Sequence, residues 1–220
     1  EEYAAEAGFL IADRGMTEYE GIRVTTPRRP PTLEVYAQQM GEQIQSLSAQ
    51  ALSRGEAYSG VRGYRRPAWT IAALTRQGRV DEVLVRAILN TEFTVPEDLR
   101  RDMRGLEDWE QEEIAMQVED RIREVLDARV RPLECRAISR YALASRAAIV
   151  ASMDNEYTQQ AIDRLQAYGE ERVAECVTEA AASDEGFAPY QPGEFTRAPR
   201  GQTLPLRPSI EPPPLAGGGE

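Results

Sequence analysis

The sequence predicts an all-α protein, a helical bundle of five to seven helices with a long C-terminal antiparallel helical hairpin, an irregular N-terminal arm and an extended Pro-rich C-terminal tail. Two observations lead there. Apolar residues recur at three- and four-residue steps through most of 33–185, the period of a helix that buries one face, and no stretch shows the strict alternation of a strand. Proline and glycine gather toward the two ends, where regular structure cannot continue. The chain therefore divides into an arm (1–32), a helical domain (33–185, with the hairpin over 133–183) and a tail (186–220).

The arm mixes Tyr3, Phe9, Leu10 and Ile11 with Gly8, Gly15 and Gly21 and closes in the Pro27 to Pro31 cluster, so a short helix is the most it is expected to hold. From Leu33 the stripe Leu33, Tyr36, Met40, Ile44, Leu47 and Ala51 defines a helix, with Thr32 as N-cap and Gly55 as its stop. Pro67 suits a first helical turn, and Trp69, Ile71, Ala72 and Leu74 follow it up to Gly78, which reads as a breaker. Val80, Val83, Leu84, Ala87 and Ile88 then make a second stripe, and the two resemble a helix-turn-helix hairpin. Thr94 and Glu97 have capping-box spacing, which predicts a short helix ending near Gly105. Ile114, Val118, Ile122, Val125, Leu126 and Val130 give the clearest amphipathic face of all, expected to end at Pro132. Two long helices follow, about 133–153 and 156–182, hinged at Asp154-Asn155.

Composition excludes more chemistry than any motif suggests. All 26 basic residues are arginine, and histidine is absent. Without histidine there is no Ser-His or Cys-His nucleophile pair, no imidazole base and no Cys/His zinc site. Without lysine there is no phosphate-loop lysine and no Schiff base. No cofactor, metal site or catalytic residue is assigned. Carboxylate chemistry survives in principle, and a glycan-cleaving enzyme is a distant third reading. A net charge of −11 argues against nucleic acid as the main partner, and no apolar run approaches bilayer length. The chain opens on Glu1 rather than Met, which suits a processed terminus.

Cys135 and Cys176 lie on the apolar stripes of the two hairpin helices, nearly equidistant from the Asp154-Asn155 turn. Antiparallel packing then sets them level, within reach of a disulfide, and a disulfide points to an oxidising, extracytoplasmic compartment: periplasmic, secreted or particle-associated.

Two segments are candidate partner contacts. The loop carrying Arg62, Tyr64, Arg65, Arg66 and Trp69 combines cations with aromatic rings. The tail offers Leu204, Pro205, Leu206 and Pro208, then Pro213 and Leu215, apolar anchors on a stiff polyproline-like backbone. With no reactive constellation, the sequence points to a non-catalytic structural or interaction subunit of a larger assembly, in a cell envelope or a virion-like particle, partnered by other protein subunits as an oligomer or hetero-complex. The alternative is an exported toxin or effector, because the lysine depletion resembles that of the A chains of several protein toxins.

Overall fold

The computed structural model describes residues 1–184 and 187–195, and the backbone of 202–203. Among them the chain is all-α: eight helical segments, one of them a single turn, with one two-residue parallel strand pair as the only sheet. The helices are α1 (Glu2–Asp13), α2 (Met16–Tyr19), α3 (Leu33–Arg62), α4 (Pro67–Leu89), α5 (Glu97–Asp102), α6 (Asp108–Ala151), α7 (Glu156–Tyr168) and α8 (Glu170–Ser183). The strands are β1 (Met153–Asp154) and β2 (Gln202–Thr203).

Helix α4 is the centre of the bundle. Of its 23 residues, 17 are buried, and it packs against α6, α3, α7 and α1. It starts as the sequence predicts, with Pro67 in the first turn where no intrahelical N–H is needed. It does not break at Gly78, so the expected helix-turn-helix hairpin is one continuous helix. The glycine serves a crossing instead: a Cβ there would stand 2.8 Å from Cε1 of Tyr141 on α6. Only a hydrogen at this position lets the two backbones approach closely enough to bury the tyrosine ring between them.

Two other expected stops also fail, each for a local reason. Gly55 lies inside α3, which runs on to Arg62; its carbonyl accepts from Nε2 of Gln77 at 2.7 Å, and Arg140 Nη1 lies 3.5 Å from where its Cβ would be. Pro132 lies inside α6, where it removes one backbone hydrogen bond, and the residue that bond would have reached, Ala128, is on an exposed stretch that water can satisfy. The arm is more ordered than its glycines suggest. Its helix α1 buries Ala5, Phe9 and Ala12, with the Phe9 ring 5.3 Å from Trp69 and 5.4 Å from Tyr157, and Gly15 at φ 76 turns the chain into α2.

Thr32 caps α3 as expected, its hydroxyl accepting from Val35 N at 3.2 Å. The Thr94–Glu97 capping box does not form. Pro96 caps α5, whose first amides donate instead to the carbonyls of Pro30 and Pro31. The capping box stands one helix later: Glu107 N donates to Glu110 Oε2 at 2.9 Å at the start of α6.

The C-terminal half of α6 and α7–α8 form the expected antiparallel hairpin. Asn155 starts its second arm, its side chain accepting from Thr158 N at 2.9 Å. That arm is broken once, at Gly169, whose φ of 84 is left-handed.

Gly78→Ala is expected to destabilise the fold by about 1–3 kcal/mol, because the added methyl must displace a ring fixed at both ends. Gly41→Ala, with nothing within 4 Å of the new Cβ, gains up to about 1 kcal/mol of helix propensity. Urea denaturation of the two variants beside the wild type measures both, and equal effects would contradict the crossing argument.

Candidate interaction surfaces

The basic loop separates into exposed and consumed residues. Arg62, Tyr64 and Arg65 are exposed at the end of α3, with Arg65 held at φ 54. Arg66 pairs with Glu1 at 2.8 Å and Glu2 at 3.6 Å, tying α1 to the loop. Trp69 does not belong to that surface. It is only 5% exposed, packed against Phe9 in the core, so the aromatic read as a contact is an anchor for the N-terminal helix. Of the tail residues, Leu204, Pro205, Leu206, Pro208, Pro213 and Leu215 lie outside the described residues.

Cys135 and Cys176 are bonded to each other, Cα to Cα 4.8 Å, tying α6 to α8. Three ion pairs flank the bond: Arg172 reaches Glu134 on α6 and Glu175 on its own helix, and Arg131 on α6 reaches Glu175. On chain-entropy grounds, closing a loop of 41 residues contributes about 4 kcal/mol.

Past α8 the chain does not leave the bundle at once. Phe187 and Phe195 are both buried, and Arg146 of α6 lies over the two rings at 5.2 and 5.7 Å. The same guanidinium donates to the carbonyls of Ala188 and Pro189 at 2.7 and 3.1 Å and grips both carboxylate oxygens of Glu194 at 2.7 and 3.0 Å. A planar five-donor fork with two apolar faces fits such a mixed site, and an ammonium would not. Glu170 adds a second tie, accepting from the Tyr190 hydroxyl at 2.7 Å and from Gly193 N at 3.2 Å. The segment 187–195 thus packs on the helical domain, and β2 pairs in parallel with β1 next to the α6–α7 turn. Nothing in the reading of the sequence singled out Arg146. Phe187 and Phe195, rare aromatics bracketing a Pro/Gly stretch, are the signal that could have marked this segment as packed.

Beneath these surfaces lies a buried ionic spine. Asp81 on α4 is 1% exposed and receives Arg136 bidentately at 2.6 and 2.9 Å, with Arg140 at 3.2 Å. Its neighbour Glu82 is engaged by Arg79, by Arg164 from α7 and by the Tyr141 hydroxyl at 2.9 Å. Near the N-terminal helix, Asp13 accepts from the Tyr58 hydroxyl at 2.7 Å and pairs with Arg76 at 2.9 Å. These contacts bind one helix to another, and their carboxylates are occupied by their own chain.

An open groove of about 730 Å³ lies between residues 20–26 and the end of α4 at Arg86, Asn90 and Glu92. Its charged residues are partly engaged within the chain, Glu20 with Arg79 at 2.8 Å and Arg86 with the Glu20 carbonyl at 3.1 Å. Among the described residues, no group of three or more acidic or cysteine side chains is placed to hold a metal ion, and no helix is long and apolar enough to cross a membrane. The chain matches no protein-family model, no curated protein and no solved structure.

Arg146→Ala is expected to free residues 187–195 while leaving the bundle folded. Backbone amide exchange in that segment should rise at least about tenfold, since several hydrogen bonds are lost together, and unchanged exchange would refute the anchor.

The pH profile follows from burial. Tyr157 and Tyr168 are pushed up to about 12 by burial, partly offset by Arg76 and Arg164, and burial pushes Tyr19, Tyr58 and Tyr141 higher still. Unfolded tyrosines ionise near pH 10 while these stay neutral, so the stabilisation is complete below about 10 and is lost as pH rises through 10 toward 12. Histidine is absent and both cysteines are bonded, so the side-chain types that ordinarily ionise between pH 6 and 9 are missing. The midpoint of denaturant unfolding should be flat from about pH 6 to 9 and fall above about 10; a step inside that window would contradict it.

Proposed function

We propose that this chain is a non-catalytic structural subunit of a larger protein assembly outside the cytoplasm, with the disulfide-locked hairpin as its rigid scaffold and its Pro-rich tail as a contact. The observation that carries the reading is the way the C-terminal segment is held. Arg146 fixes residues 187–195 through six polar and ring contacts, so the chain beyond them starts from a defined place on the hairpin. A preorganised starting point lowers the ordering cost of docking a stiff peptide on a partner. The composition supports the same reading, because it removes histidine and lysine chemistry. The disulfide supports an oxidising compartment, where such bonds persist. Arg62, Tyr64 and Arg65 supply a second exposed contact of cationic and aromatic character.

Deleting residues 204–220 should leave the bundle and its disulfide intact and abolish recovery in a large complex. The check is gentle purification from the native source, followed by sizing and mass spectrometry of co-purifying proteins. Full-size recovery of the truncated chain would remove the tail from the proposal, and a wild-type chain that never co-purifies with other proteins would end the proposal altogether.

A further inference from the structure

One wall of the 730 Å³ groove beside the end of α4 is formed by residues 20–26, and the side chain of Gln43 on α3 shows how their backbone runs. Its Oε1 accepts from Thr25 N at 2.9 Å, and its Nε2 donates to Thr25 O at 2.6 Å. One carboxamide holds both groups of a residue only where they point the same way, as they do in an extended strand. Gln43 thus imitates a neighbouring strand on the α3 side. Alternation turns Ile22 C=O, both groups of Val24 and Thr26 N–H to the opposite edge, across the groove from Arg86, Ala87 and Asn90. Among the described residues none of these four groups has a hydrogen-bond partner. Val24 is only 8% exposed, and the backbone groups of so covered a residue are ordinarily paired. A row of free groups of this kind accepts an extended peptide as an added strand.

Within the C-terminal tail, outside the described residues, the sequence Pro208-Ser-Ile-Glu-Pro212 has the matching pattern. As a strand it would present intact groups of Ser209 and Glu211 on one edge and both prolines on the other. We propose that residues 208–212 of a second copy add to residues 22–26 as a parallel strand, with Ile210 beside Val24. A parallel ladder in that register has four bonds: Ser209 N–H to Ile22 O, Val24 N–H to Ser209 O, Glu211 N–H to Val24 O and Thr26 N–H to Glu211 O. These are the four free groups. Pro208 and Pro212 fall on the outer edge, where a missing donor is tolerated and further strand addition is blocked. Ile210 shares the buried face of Val24, and Glu211 shares the outer face of Arg23, which is exposed and has no ion pair among the described residues. An antiparallel ladder would reverse this, turning Ile210 outward and Ser209 or Glu211 onto the buried face.

Reach makes the donor another copy. Tyr141 lies on Gly78 and Arg136 on Asp81, so α4 and α6 run antiparallel. Ala151, just before β1, is therefore level with the first turn of α4, about 28 Å along its axis from Ala87. Six residues from Thr203, paired on β1, to Ser209 span at most about 20 Å. Groove and tail root sit at opposite ends of the bundle, so the contact is head-to-tail and continues into an open row of subunits.

This inference rests on the assembly reading and names one contact within it. It is tested on the full-length oxidised chain purified alone, so its failure leaves docking on other proteins, judged by co-purification, untouched. Sedimentation should show a mass that climbs above the 24.6 kDa of one chain as concentration rises to hundreds of micromolar. An excess of free peptide with the sequence of residues 206–213 should bring it back down. N-methylation of that peptide at Glu211, which blocks a ladder donor, should weaken its competition about tenfold, whereas N-methylation at Ile210, on the outer edge, should change it less than about twofold. Thr26→Pro, which removes an N–H without a partner in its own chain, should weaken self-association about tenfold with an unchanged helical spectrum. A wild-type chain that keeps the single-chain mass, a peptide that does not compete, or equal effects of the two methylations would each overturn the proposal.

Discussion

The fold depends on two adjacent carboxylates, Asp81 and Glu82, set in the middle of its most buried helix. A charge taken out of water there is tolerable only if paired and hydrogen-bonded, and stripping its partners costs about 3–5 kcal/mol. Every neighbouring helix that can reach the pair contributes to satisfying it. Arg136, Arg140 and Tyr141 come from α6, Arg164 comes from α7, and Arg79 comes from α4 itself, where it also holds Glu20 beyond α2. The ionic pair therefore acts as a register mark. Sliding α6 along α4 by one turn would cost Asp81 one of its two arginines and would drive the Tyr141 ring off Gly78, so the apolar contacts and the polar ones favour the same alignment.

Arginine alone could do this work in several places at once. Arg136 chelates one carboxylate with two parallel bonds, Arg79 bridges two acids, and Arg146 uses its edge for carbonyls and a carboxylate while its faces cover rings. A lysine is a compact point donor and offers none of these divided geometries. In a chain without lysine, arginine is the main polar joint between helices.

Much of this was legible from local signals. Thr32 reads as a cap and is one, Pro67 opens a helix, Asp154-Asn155 turns the hairpin, and the level placement of the two cysteines predicts their bond. What the sequence misread were residues whose role is set by something far along the chain. Gly78 looks like a breaker because its reason for being small is a ring 63 positions later. Gly55 is explained by Gln77 and Arg140, and Trp69 by Phe9. Thr94 and Glu97 have the spacing of a cap, yet the carbonyls of Pro30 and Pro31 take the amides first. Asp81-Glu82, inside an apolar run, went unremarked in the sequence, and only the facing arginines give the pair a meaning. Among the contacts, Arg62, Tyr64 and Arg65 kept the exposure a surface role needs, and Trp69 did not.

The position of the sulfur bridge has a mechanical consequence. Arg146, β1 and the whole of α7 lie inside the loop that Cys135 and Cys176 close, and the segment that Arg146 grips lies outside it. A pull on the C-terminus would first part β2 from β1, then strip the Phe187–Phe195 clasp and then peel α8 backward from Ser183. Peeling stops at Cys176, where the load crosses by a covalent bond into the middle of the longest helix and bypasses α7 entirely. Once β2 has parted from β1, tension at the tail is delivered to the middle of α6, and the hairpin turn no longer bears it.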